Sequence, residues 1–237
     1  METLSYTPTT VGSHTLTFTA GEDTVTVSAL VESSEINIQE ETAGLLLKLS
    51  AKGRSNSEAE PDTWEYNNIE TTFNNIAWNT QSGWNNDALI IPSGSSINID
   101  LAPLSGDVIA PGRTIELDFE TFNITNEDAD ILKIVDITTG AGLNIKASSA
   151  ELKSAGGRSV KTRYKDGDRM HMTFIINRVG GNDPRMMYIV NNGILERAAQ
   201  FTQNDTFTVA DTITIGSNGC GIKLYGIRVY NKALTVD

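Results

Sequence analysis

One segment of this chain sets three carboxylates where acid–base chemistry could be done: Glu116-Leu-Asp-Phe-Glu120. On a β-strand successive side chains point to opposite faces, so Glu116, Asp118 and Glu120 share one face while Ile115, Leu117 and Phe119 share the other. Two carboxyls about 5–5.5 Å apart can cleave a glycosidic bond with retention, one as nucleophile and the other as acid, then base. The pattern also has a plainer origin. A strand with one buried face alternates apolar and polar residues. A chain with 30 acidic against 18 basic residues readily fills the polar positions with carboxylates. A structural strand face is the reading adopted, with Glu116, Asp118 and Glu120 as the alternative catalytic set.

A second constellation suits recognition rather than reaction. Trp64, Tyr66, Trp78 and Trp84 lie among Asn67, Asn68, Asn74, Asn75, Asn79, Asn85 and Asn86. Flat aromatic rings beside side-chain amides are the combination that holds a sugar by its apolar face and its hydroxyls. Trp64, Tyr66, Trp84 and Asn85 are therefore the candidate ligand-binding residues. Core packing competes for Trp78 and Trp84, because Ile76 and Trp78 fall at strand spacing. Metal chemistry has little to draw on. His14 and His171 are the two histidines and Cys220 the one cysteine, so neither a zinc set nor an internal disulfide can be assembled. Acidic loops occur at Asn126-Glu-Asp-Ala-Asp130 and Asp166-Gly-Asp168, but neither has the spacing of a defined calcium loop. No phosphate-binding loop, dinucleotide fingerprint or nucleophile elbow is present. The expectation is no cofactor, with Ca2+ left open.

The elements that would carry these residues are strands. Short apolar-alternating runs are separated by turn signals: Leu45–Ala51, Ala88–Ile91, Ser96–Leu101, Thr114–Phe122, Ile131–Val135, Leu143–Ala147, Val160–Tyr164 and Met170–Ile176. This spacing is that of a β-sandwich. Two strands meet at Asn192-Gly193, a dipeptide that accepts the positive φ of a tight hairpin. Pro92-Ser-Gly is expected to close another hairpin. Met170, Met172, Met186 and Met187 are expected in the core. At the other end, His14–Ala20 and Thr24–Val31 alternate around Gly21-Glu-Asp and read as a hairpin, followed by a polar connector over 34–43. The chain is thus expected to divide into 1–38 and 39–237. The net charge of −12 disfavours nucleic acid and anionic membranes as partners, and no apolar run approaches the roughly 20 residues of a spanning helix. The N-terminus lacks a basic segment followed by an apolar one, so no secretory signal is read there. Export would follow another route, as virion parts do on lysis, or the chain is a piece of a longer protein.

Several motifs resemble known families. The ending Gly226-Ile-Arg-Val-Tyr-Asn-Lys-Ala-Leu234, after Asn192-Gly193 and Thr212-Ile-Thr-Ile-Gly216, resembles laminin-G-like and concanavalin-A-like jelly rolls. Tyr6–Phe18 looks like the last strands of an immunoglobulin-like module. The trio resembles the active strand of laminarinase and lichenase-type β-glucanases, which share the jelly roll. Gly53-Arg-Ser-Asn, Thr63-Trp-Glu-Tyr-Asn-Asn-Ile, Thr71-Thr-Phe-Asn-Asn-Ile-Ala-Trp-Asn, Gly83-Trp-Asn-Asn-Asp-Ala-Leu and Gly112-Arg-Thr-Ile-Glu-Leu-Asp-Phe are similar to laminin-G-like structural proteins of tailed phages and prophages. The resemblance implies an all-β, two-sheet antiparallel jelly-roll sandwich preceded by a partial immunoglobulin-like hairpin. It implies a non-catalytic virion structural or host-surface-binding module, located on the virion or outside the cell. The implied partners are host-surface glycan and other virion proteins, with a homo-oligomer compatible. A retaining β-glucanase and a purely structural tail spacer are the alternatives.

Overall fold

The computed structural model describes residues 12–20, 23–31, 43–85, 87–101, 106–107, 112–135, 142–178, 185–202, 208–209 and 212–234. The chain divides into two compact units, Met1–Thr42 and Ala43–Asp237. In the first unit β1 (Gly12–Ala20) pairs antiparallel with β2 (Asp23–Val31), in a register running from Gly12 opposite Val31 to Ala20 opposite Asp23. The expected hairpin residues before Gly12, and the connector over 34–42, lie outside the described residues.

The second unit is built from strands, and no helix occurs among its described residues. In chain order these are β3 (Leu45–Ser50), β4 (Glu65–Tyr66), β5 (Ile69–Asn74), β6 (Gly83–Trp84), β7 (Leu89–Ile91), β8 (Ser96–Asp100), β9 (Gly106–Asp107) and β10 (Gly112–Phe122). There follow β11 (Asp130–Val135), β12 (Gly142–Lys146), β13 (Ser149–Lys153), β14 (Ser159–Arg163), β15 (Arg169–Asn177) and β16 (Met186–Asn191). The last are β17 (Ile194–Gln200), β18 (Thr208–Val209), β19 (Thr212–Gly216) and β20 (Gly221–Tyr230).

Two antiparallel eight-stranded sheets form a sandwich. The first runs β17-β16-β15-β10-β20-β7-β6, with β3 sharing the edge of β20. The second runs β14-β13-β12-β11-β19-β8-β5-β4, and β9 pairs with β18 apart from both. Leu117 and Phe119 of the first sheet and Ile97, Ile99, Ile213 and Ile215 of the second, each 0% exposed, belong to one apolar core. Phe119 meets Tyr164 edge-to-face at 5.6 Å, a contact that spans the two layers. The first and last described segments of this unit are tied in as well: Asn231 N donates to Gly44 O at 2.8 Å, and Thr114 Oγ1 donates to Lys232 O at 2.9 Å.

The two-sheet sandwich expected from the strand spacing is what forms, with local departures. Pro92-Ser-Gly closes no hairpin: β7 pairs with β20 and β6, while β8 pairs with β19 and β5. The turn carries the chain from one sheet to the other, and apolar alternation alone does not say which layer a strand joins. Strand β13 carries little signal in the sequence, because Ala150 and Leu152 are the whole of its apolar face. Met170, Met172 and Met187 are buried, but Met186 is half-buried.

Candidate functional site

The carboxylate trio lies on β10, the strand between β15 and β20. Ile115, Leu117 and Phe119 are buried and Glu116, Asp118 and Glu120 are half-buried, as strand alternation requires. Register then selects their partners. Glu116 sits opposite Arg228 and Glu120 opposite Lys223. On the other side Glu120 sits opposite Arg169, and Asp118 opposite His171. A register shift at Asp118/Phe119 leaves Tyr225 as the extra residue of β20, beside the trio.

Each carboxylate is taken up by a cation. Arg228 Nη1 stands 3.2 Å from Glu116 Oε2, which also accepts from Tyr230 OH at 3.3 Å. Arg169 grips Asp118 with two parallel bonds, Nε to Oδ1 at 3.0 Å and Nη2 to Oδ2 at 2.8 Å. Lys223 Nζ lies 2.6 Å from Glu120 Oε1, and Tyr225 OH donates to Oε2 at 3.2 Å. The guanidinium of Arg169 also stacks 3.7 Å from the centre of the Tyr225 ring. The hydrogen bond to Asp118 holds Arg169 above the ordinary arginine range, and that to Glu120 does the same for Lys223. Burial, then the charge of Glu120, pushes the Tyr225 hydroxyl upward.

This arrangement is a ladder of ion pairs on an outer sheet face. Retaining hydrolysis needs one carboxyl that keeps a proton at working pH, and an apolar or anionic neighbourhood supplies that. Here the site is neither: each carboxylate is engaged by a cation, Glu120 by an ammonium at 2.6 Å.

The aromatic constellation requires a correction. Trp64 and Trp84 are 5% and 4% exposed and belong to the core. Their indole N–H groups are satisfied by backbone, Trp64 Nε1 donating to Ser50 O at 3.2 Å and Trp84 Nε1 to Pro61 O at 2.6 Å. They pack edge-to-face at 5.2 Å, Trp78 stacks on Trp84 at 6.2 Å, and Arg54 covers the Trp84 ring at 4.4 Å. Neither offers a face on which a sugar could stack. Tyr66 is half-buried and Asn85 exposed.

The asparagines have local work. Asn67 and Asn68 take φ of 48° and 64° between β4 and β5, and Asn75 takes 56°. Asn56 Oδ1 accepts from Trp84 N at 2.6 Å, and Asn85 Oδ1 from Ala88 N at 3.1 Å. Asparagine tolerates the left-handed region and mimics backbone in turns, which is why it is abundant here. Asn86 lies outside the described residues.

A feature that strand reading missed is a groove of about 780 Å3 at the rim of the second sheet. Its floor is the β12–β13 turn, with Ser148 and Ser149. One wall is the loop holding Glu127 and Asp128, joined to the floor by Ser148 Oγ donating to Glu127 O at 3.3 Å and Ala147 N to Ala129 O at 2.9 Å. The other wall is β14 and the turn after it, joined by Tyr164 N donating to Ser148 O at 3.1 Å. Tyr164 closes the base through a hydrogen bond from its hydroxyl to Lys146 O. Burial pushes that phenol well above its usual range, so it stays a neutral donor. Three segments far apart in sequence make this groove, which leaves no contiguous signature. Among the described residues no three His, Cys, Asp or Glu side chains converge as a metal site, the two acidic loops included.

No protein-family model matches the chain, and no curated protein sequence matches it. Solved structures do. A botulinum neurotoxin serotype D ligand-binding domain in complex with N-acetylneuraminic acid superposes with a TM-score of 0.60 at 14% identity, covering 81% of this chain and 48% of that one. The binding domain of botulinum neurotoxin DC in complex with SialylT gives 0.58 at 14%, covering 81% and 49%. The serotype G binding domain gives 0.57 at 13%, covering 80% and 48%. The chain spans about half the length of these domains. At such identities the likeness establishes the fold, a two-sheet antiparallel β-sandwich.

Proposed function

We propose that residues 43–237 form a non-catalytic carbohydrate-binding module that recognises a cell-surface glycan, carried by a virion or another assembly outside the cell. The observation that carries this reading is the groove of about 780 Å3, whose floor is hydroxyl-bearing and whose walls are charged. Sugars are held by such convergent polar groups. The ion-paired state of Glu116, Asp118 and Glu120 supports a binding rather than a hydrolytic role. The fold is shared with domains solved in complex with N-acetylneuraminic acid and SialylT.

The phage tail context rests on the motif resemblance, as do the laminin-G-like assignment and the immunoglobulin-like character of the first unit. Assembly with other virion proteins, or with further copies of the chain, belongs to the same proposal. Of the original aromatic patch, Tyr66 and Asn85 keep accessible surface and stand as secondary ligand contacts. Burial of Trp64 and Trp84 favours a second reading, a structural spacer without a ligand. A glycan array probed with the full chain separates the two. The binding module retains at least one glycan and releases no reducing ends from laminarin or lichenan, whereas the spacer retains none. Hydrolysis abolished by both Glu116→Gln and Glu120→Gln would overturn the non-catalytic reading.

A further inference from the structure

We infer that the rim groove takes an acidic sugar, a saccharide bearing carboxylate or sulfate; this rests on the carbohydrate-binding reading and names the ligand class for its site. The argument begins with charge. In a chain of net charge −12, cations are scarce. On the first sheet's outer face Arg169, Lys223 and Arg228 are each held by a carboxylate. On β14 the exposed positions alternate as Lys161 and Arg163, and the alternation continues to Lys165 beyond the strand end. All three line the groove. Among the described residues none of the three is in an ion pair. They span roughly 13 Å at about 3.3 Å per residue, a row rather than a point.

The facing wall has the opposite character. Glu127 and Asp128 stand there, with Asp128 Oδ1 already 3.1 Å from Lys146 Nζ. Asp166 closes the end of the cationic wall. The groove lining therefore groups Lys161, Arg163 and Lys165 on β14 and its turn and Glu127 and Asp128 on the other loop, over a serine floor, with Glu151 of β13 across from Lys161. A neutral sugar would use the acceptors and hydroxyls and leave the cationic row without a partner. A nucleic acid would bring its phosphates without the array of ring hydroxyls that a sugar offers to Glu127 and Asp166. A sugar with both hydroxyls and an acidic group uses both walls: its anion meets Lys161, Arg163 and Lys165, and its hydroxyls donate to the carboxylates. Charge-assisted hydrogen bonds to the row then supply specificity against neutral glycans.

The test is affinity electrophoresis and calorimetry of the full chain against polygalacturonate, dextran sulfate, neutral dextran, laminarin and oligothymidylate. Polygalacturonate or dextran sulfate should bind, more weakly as sodium chloride is raised, and the two arms distinguish carboxylate from sulfate. The double variant Lys161→Gln/Arg163→Gln should lose about tenfold in affinity or more, with its melting temperature unchanged because both side chains are exposed. Lys133→Gln, an exposed cation outside the groove, should lose nothing. Binding of neutral polysaccharides that survives the double variant would overturn the acidic-ligand inference while leaving the carbohydrate reading intact. Acidic polymers bound equally by the double variant would also overturn it, as would oligothymidylate bound as tightly as the acidic sugars. Retention of no polysaccharide of either kind would remove both.

Discussion

Arg54 shows at the residue scale why an aromatic patch readable in the sequence is not a binding platform. Its Nε lies 2.8 Å from Glu58 Oε2, its Nη2 donates to Thr63 O at 2.7 Å, and its guanidinium lies over Trp84. Glu58 fixes that geometry and also accepts from Ser55 N at 2.6 Å. The Ser55 hydrogen bond, with smaller help from Arg54, holds the Glu58 carboxyl below its ordinary value of 4.5. A carboxyl lowered on folding contributes stability that is present above the unfolded value and lost as pH falls through the folded one. Glu58→Gln should therefore lower the melting temperature at pH 7 by at most about 2–4 °C, matching a surface interaction of about 1 kcal/mol or less. Well below pH 4 the variant and the parent should melt together. A deficit that persists unchanged in acid would mean that Glu58 acts through packing rather than charge.

Among elements, β10 carries the most. It pairs with β15 along one edge and β20 along the other, buries Leu117 and Phe119, and turns the acidic trio outward. It starts at Gly112, whose φ of 130° lies in a region that favours glycine. A Cβ there would run into the carbonyl oxygen of Ile176 on β15. Gly112→Ala should cost about 2 kcal/mol or more in chemical denaturation, by strain and by loosening the β10–β15 edge. An unchanged midpoint would show that this strand end adjusts freely. At the tip of β16 and β17, Asn192 and Gly193 take φ of 50° and 77°, and the backbone obeys the dipeptide.

On the scale of the whole molecule, the second unit closes on itself. Gly44 and Asn231 are hydrogen-bonded, and the apolar core draws on both of its sheets. The first unit is described as one two-stranded hairpin, a structure that is marginal in water by itself. A fragment of residues 43–237 should thus retain a single cooperative melt and a β-type far-UV circular dichroism spectrum. Loss of cooperativity on removing residues 1–42 would assign the hairpin to the main core.

The amino-acid sequence determined the class of fold and the local geometry. Alternation along Ile115–Glu120 put the carboxylates on one face and the apolar residues on the other, because strand period two is a property of the backbone. The strand spacing called for a sandwich. What the trio would meet was not local: Asp118, Glu120 and Glu116 are paired with residues 51, 103 and 112 positions away in the chain. Register, including the one-residue shift beside Tyr225, chose those partners and turned a candidate active strand into an ion-pair ladder. The same distinction governs the aromatics, since Trp64 and Trp84 look alike whether they cap a core or face solvent until another layer covers them. The groove belongs wholly to tertiary structure. Its floor and walls come from around residues 127, 148 and 163, and their charges become a site when the sheet edge and two loops are folded side by side.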